Sequence, residues 1–133
     1  MSQENQIANS VTGQAARSPR AVLDDHLARR LDGDIEGDLA ANYAPGVTIL
    51  TKDGVYSGWS GIRQTAALLE RMLPEARFSY DVVRVADELA ILSWSAVAAN
   101  GARTCWGADS YLIRNGLIVG QTIQYEVRQP GQK

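Results

Sequence analysis

The chain has 133 residues, 45% of them apolar, which is enough for one domain with a core of its own. Its 13 basic and 15 acidic residues leave a net charge of -2, which gives no electrostatic footprint for nucleic acid or an anionic membrane. A single cysteine, Cys105, excludes an internal disulfide and a multi-cysteine zinc site, and a single histidine argues against a transition-metal centre.

No apolar run approaches the roughly 20 residues of a membrane span. The polar start, MSQENQIANSVTGQAARSPR, lacks the apolar core of a signal peptide. The expectation is a soluble, cytoplasmic domain that needs neither metal nor cofactor. Residues 1–17 read as a flexible N-terminal arm, residues 18–128 as the folded domain and residues 129–133 as a tail. Ser18 followed by Pro19 starts a helix, with the hydroxyl as N-cap and the ring in the first turn. Leu23, Leu27 and Leu31 form its inward stripe, and Gly33 ends it. Asp34 caps a second helix that buries Ile35, Leu39 and Tyr43 before APG breaks it. VTILT, Val47 to Thr51, predicts a short strand and KDG a turn. Ser60 is the expected cap of a third helix, with Ile62, Ala66, Leu69 and Leu73 inside and Pro74 beyond its end.

After Pro74 the period becomes that of strands. ARFSYDVVRVA, LAILSWSAVAA, RTCWGADSYLI and LIVGQTIQYEV read as four long strands, and Asn100-Gly101 and Asn115-Gly116 mark hairpins. The fold class is therefore α+β, with three N-terminal helices packed in the concave face of a curved, mostly antiparallel sheet. The mouth between such layers can stay open as a pocket.

Asp109 stands out, because a carboxylate in a strand on a core is costly unless it is paired or shifted in pKa. Alternation puts Cys105, Gly107, Asp109, Tyr111 and Ile113 on one face and Trp106, Ala108, Ser110 and Leu112 on the other. Both faces carry apolar groups, so pattern alone leaves Asp109 facing a pocket, solvent or a partner chain. His26 borders the leucine stripe, where a pocket-lining and a partly exposed histidine are both consistent. Gln121, Ile123 and Tyr125 share one face of the last strand. A two-residue turn at Asn115-Gly116 places them opposite Asp109, and a three-residue loop with a glycine bulge places them beside it. A two-residue turn in the first hairpin pairs Trp94 with Gly107, the one site in that strand with room for an indole; plain packing or a dimer face serves Trp94 and Trp106 as well. DGDIEGD lacks the acidic spacing of an EF-hand, and cap-and-turn chemistry accounts for it. The glycines at 54, 58 and 61 form no phosphate loop, since no Lys-Ser/Thr follows. Cys105 has no basic neighbour to activate it and reads as a buried, inert thiol.

The order HLARRLDGDIEGDLAANYAPGVTIL, DGVYSGWSGIRQ and ADSYLIRNGLIVGQTIQY resembles the nuclear-transport-factor-2-like superfamily over residues 20–127. Within it the chain is most similar to the SnoaL-like and ketosteroid-isomerase-like branch. The resemblance implies a cystatin-like cone. Members include isomerases, cyclases, dehydratases and epoxide hydrolases, so the fold alone assigns no reaction. It implies that Asp109 holds the place of the isomerases' protonated aspartic acid, an oxyanion donor. It likewise implies His26 in place of that acid's tyrosine partner and Leu50 in place of the general base. A leucine abstracts no proton, so steroid isomerisation as such is not expected. The family pattern also favours the bulged second hairpin, which brings Gln121 and Tyr125 to the pocket.

Two functions follow. One is a cofactor-independent enzyme doing isomerase-, cyclase- or dehydratase-type acid/base chemistry on a small hydrophobic carbonyl or polycyclic compound. Asp109 and His26 are its catalytic pair, and Tyr125, Gln121, Leu50, Trp94, Tyr111 and Tyr43 surround the ligand. The other is a non-catalytic small-molecule-binding or dimerisation module. The two-sided apolarity of LAILSWSAVAA predicts a homodimer through the convex sheet face.

Overall fold

The computed structural model describes residues 16–131; the proposed arm up to residue 15 and the last two residues of the tail lie outside them. Helix α1, Pro19–Leu31, begins where Ser18 accepts a hydrogen bond from the Ala21 N–H, and it gives way to Gly33 at φ +74°. Asp34 caps α2, Ile35–Asn42, by accepting from the Gly37 N–H. The chain then runs through β1, Tyr43–Thr51, and β2, Gly54–Ser57, into α3, Gly58–Met72. Four strands follow: β3, Arg77–Ala86; β4, Leu89–Val97; β5, Arg103–Arg114; and β6, Leu117–Tyr125.

The six strands form one sheet in the order β2-β1-β6-β5-β4-β3, antiparallel except for the parallel pair β1 and β6. Helix α1 packs across β3 to β6, and α3 lies on β1 and β2. The core between helices and sheet is built from Val22, Leu23, Leu39, Ile49, Leu73 and Tyr111 with their neighbours. No helix among the described residues is long and apolar enough to cross a membrane.

Several local expectations need correction. Leu31 is exposed while Leu23 and Leu27 are buried, so the inward stripe of α1 ends one turn earlier than its spacing implies. APG does not break the chain out of regular structure; it lies inside β1, where the pairing with β6 shifts between Tyr43 and Thr48. Strand β2 is an addition, and four residues are too few for a readable alternation. Helix α3 starts at Gly58, with Ser57 and not Ser60 in the cap position and no side-chain cap bond. Arg17, assigned to the arm, is held instead: its guanidinium donates to Asn42 Oδ1 and to the carbonyls of Ala41 and Gly116.

Both hairpins reach their register by a route the turn residues do not show. At the first, the Ala98 N–H donates to the Ala102 carbonyl across a three-residue loop, with Gly101 at φ +90°. An extra residue in β5, between Thr104 and Gly107, then restores the pairing of Trp94 with Gly107. That bulge also turns Cys105 out, so the thiol is exposed and not buried. At the second, Asn115 and Gly116 form a two-residue turn, both with positive φ. The slip comes later, at Val119, and it puts Gln121 opposite Tyr111. The bulge lies in the strand and not in the loop, with the same result for Gln121 and Tyr125.

Candidate functional site

Three rows of paired residues build the helix-facing side of the sheet: Ala90, Tyr111 and Gln121; Leu92, Asp109 and Ile123; Trp94, Gly107 and Tyr125. Gly107 is the gap that admits the Trp94 indole, since a Cβ there would stand 2.3 Å from it. Trp94 is flanked by Phe78 and Tyr125, each with ring centroids 5.6 Å away. These aromatic rings form one wall of a cavity of about 450 Å³ between helices and sheet. Leu27, Ile62 and Leu69 supply much of the opposite wall.

Asp109 faces this cavity. Its Oδ1 accepts from Trp94 Nε1 at 3.1 Å, and its Oδ2 accepts from Tyr111 Oη and from Gln121 Nε2, both at 3.2 Å. One acceptor direction on Oδ1 is left for a ligand. Burial pushes the Asp109 carboxyl above its ordinary value, against the hydrogen bonds from Trp94 and Tyr111 and the charges of His26 and Arg30, which favour the anion. Gln121 is oriented by Tyr43, whose hydroxyl donates to Gln121 Oε1 at 2.5 Å. Burial also raises the Tyr43 and Tyr111 phenols, so both keep their protons and act as donors.

His26 is buried on α1 beneath this row, and it reaches Asp109 only through Tyr111. Its Nε2 lies 3.3 Å from Tyr111 Oη, and its Nδ1 donates to Asp38 Oδ2 at 2.8 Å. The expected direct pair is thus a chain: Asp38, His26, Tyr111, Asp109. Asp38 is fixed in turn by Asn42, whose amide donates to Asp38 Oδ1 and to Asp25 Oδ2, both at 2.8 Å.

The single Tyr111 proton makes this chain two-valued. If Tyr111 donates to an ionised Asp109, it accepts from His26 Nε2–H, and the ring is an imidazolium between Asp38 and Tyr111. If Asp109 is protonated, it donates to Tyr111, and Tyr111 donates to a neutral His26. The two arrangements hold the same number of protons and differ only in where the charge sits.

Of the site residues expected from sequence, His26, Tyr43, Trp94, Asp109, Tyr111, Gln121 and Tyr125 all line the cavity. Leu50 does not. It is 47% exposed on the other face of the sheet, while its neighbours Ile49 and Thr51 point inward. A one-residue slip reverses the face of a strand residue, so the equation of Leu50 with a general-base position fails. The inward positions of β1 that replace it carry no carboxylate either. Asp38 was missed. Its signal was available: Asp38 and Asn42 are four apart on the face that carries Leu39, an unusual polar pair for a buried side. Arg30, four residues after His26, was also missed and lines the same cavity.

No family model and no curated protein matches this sequence. Solved structures do. An NTF2-like protein of unknown function from Burkholderia pseudomallei superposes with a TM-score of 0.68 at 18% identity, over 81% of this chain and 90% of that one. A protein described as a SnoaL-like polyketide cyclase, from Mesorhizobium loti, gives 0.61 at 17% identity, over 80% of this chain and 98% of that one. A protein described as an isomerase of the SnoaL-like family, from Agrobacterium tumefaciens, gives 0.64 at 16% identity, over 80% and 95%. At these identities the likeness is one of architecture. The chain has the nuclear-transport-factor-2-like fold, in the form shared with SnoaL-like proteins.

Proposed function

We propose that this protein is a pocket enzyme that does acid/base chemistry on a small, largely apolar carbonyl compound, with Asp109 as the acid. The observation that carries this reading is a desolvated carboxyl, held by three donors, with one acceptor direction open to an apolar cavity of ligand size. Without a ligand the Asp109 proton lies toward Tyr111. When a ligand enters, the proton sits instead on Oδ1, in the direction left open beside Trp94. There it is donated to the ligand carbonyl and stabilises the enol oxygen as an α proton leaves to water. Tyr111 and His26 then set where the charge rests while Asp109 is ionised. Similarity to proteins described as a polyketide cyclase and an isomerase agrees with enol chemistry.

Deuterium uptake at the α carbon of 2-tetralone in D2O tests this without knowledge of the natural substrate. The wild type is expected to exchange faster than buffer, and Asp109→Asn to lose about 10²-fold or more of that rate, the scale of one general-acid group. Exchange at the buffer rate, or exchange that Asp109→Asn leaves unchanged, refutes the assignment and leaves a ligand-binding module.

The outer sheet face supports a second element of the proposal, a homodimer. Leu50, Leu89 and Ile91 are exposed there at 47%, 64% and 48%, and pairing brings Leu50 and Ile91 into one row through Ser110 and Thr122. An apolar face of this kind marks an association surface. Sedimentation equilibrium at micromolar concentration is expected to give a dimer that Ile91→Lys dissociates; a monomeric wild type refutes it.

A further inference from the structure

The cavity contains a positive charge that no carboxylate among the described residues neutralises by contact. Arg20, Arg29, Arg63 and Arg114 each hold a carboxylate, at 3.2, 2.8, 2.8 and 3.0 Å. Arg30 is the only arginine among the lining residues, and among the described residues no carboxylate is bonded to its guanidinium. It stands one turn beyond His26, in the last turn of α1, half-buried. Its charge acts on several of the groups that line the cavity. Burial raises Tyr43, Tyr80, Asp109 and Tyr111, and in each case the Arg30 charge works in the opposite direction.

A half-buried guanidinium beside an apolar wall loses hydration, and an anionic ligand would give it the close partner that no described carboxylate supplies. Across the cavity lie flat aromatic surfaces, Phe78, Trp94 and Tyr125, suited to a ring system. From this we propose that the ligand is a flat, mostly apolar ring compound carrying one carboxylate, which Arg30 binds as a two-pronged pair. Arg30 is then a specificity residue. The proposal rests on the ligand-pocket reading above and extends it: Asp109 meets the carbonyl end of the ligand and Arg30 its anionic end. Lys52 also lines the mouth, but Asp53 stands 3.7 Å from it, and Glu126 adds a further negative charge there. Arg30 is therefore the better anion partner.

Two fluorescent probes with the same ring skeleton test this directly. 8-Anilinonaphthalene-1-sulfonate has an anionic group, and N-phenyl-1-naphthylamine is the same skeleton without it. The wild type is expected to bind the sulfonate about tenfold or more tighter than the neutral probe, the scale of one charge-assisted pair. Arg30→Gln is expected to remove that advantage and leave the neutral probe within about twofold, while Arg30→Lys, which keeps the charge without the fork, falls between. Arg30→Gln leaving the sulfonate affinity unchanged, or weakening both probes equally, overturns the proposal. Neutral-probe binding without any sulfonate preference in the wild type overturns it too, yet spares the pocket reading. Binding of neither probe defeats both.

Discussion

Trp94 donates its indole proton to Asp109 Oδ1 at 3.1 Å, and the empty side of Gly107 is what allows it to lie there. The two residues sit on neighbouring strands, one row apart, and the bond crosses from the Trp94 row to the Asp109 row. An indole in this position provides cavity wall and a donor to the acid at once.

Gly107→Ala is therefore expected to harm both roles. A Cβ would stand 2.3 Å from the indole and drive it toward Tyr125 or into the cavity. Overpacking of this kind costs about 1–3 kcal/mol. Urea unfolding should show that loss of stability, and tryptophan fluorescence should shift as the Asp109 bond breaks. A variant with wild-type stability and spectrum would mean that the strand simply bows to admit the methyl group.

Asp38 and His26 form a second pair, both nearly inaccessible, at 3% and 1% side-chain exposure for His26 and Asp38 in turn. Removing one member of such a pair leaves the other without its partner in the core. Asp38→Ala is expected to destabilise by about 1–3 kcal/mol, the cost of leaving the buried His26 Nδ1–H without its acceptor. It also frees the Asn42 amide that donates to Asp38 Oδ1. Thermal unfolding measures this, and a change under 1 kcal/mol would show that water takes the place of the carboxylate.

His26 is the only histidine in the chain, so its ring nitrogens can be followed by NMR without ambiguity. With Asp109 ionised, Tyr111 is turned toward Asp109 and Nε2 keeps a proton. Asp109→Asn removes that anion, and the neutral ring with its proton on Nδ1, toward Asp38, becomes the expected state. The Nε2 chemical shift should therefore differ between wild type and Asp109→Asn where Asp109 is ionised, and agree where Asp109 is protonated. Tyr111→Phe should also abolish the dependence of His26 on residue 109. Identical shifts and identical titrations in wild type and Asp109→Asn would show that Tyr111 does not connect them.

Much of this site was legible because its residues break local rules. A carboxylate in an apolar strand and a histidine at the edge of a leucine stripe drew notice, though pattern left their facing open and only the family resemblance pointed them inward; both line the cavity. What failed was register. The face of Leu50 depends on how β1 leaves the irregular Ala44–Gly46 stretch, where its pairing with β6 slips, and no single residue announces that slip. Cys105 failed for the same reason, since the bulge beside it undoes the alternation. The bridging role of Tyr111 and the bond from Asp38 come from tertiary packing of α1 and α2 on the sheet. Spacing along the chain does not encode it.

The raised pKa of Asp109 has a consequence for stability that can be derived in sign. In the unfolded chain the carboxyl takes its proton near pH 4, whereas burial lets the folded form keep the proton to higher pH. Between those two points the native state binds more protons than the unfolded state, so stability contributed by this group falls as pH rises. Below about pH 4 both states are protonated and the contribution is constant; above the native value both are ionised and the loss is complete. Asp109→Asn has no proton to lose here. The unfolding free energy of the wild type, taken relative to Asp109→Asn, is therefore expected to decline from pH 4 upward and then level off. Urea titrations at several pH values measure this difference. A difference that is flat across the range would mean that the Trp94, Tyr111 and Gln121 bonds offset the burial in full, and one that rises would mean that they outweigh it. In either case Asp109 would be an ionised ion-pair residue and not a neutral donor, and the proposed acid role would go with it.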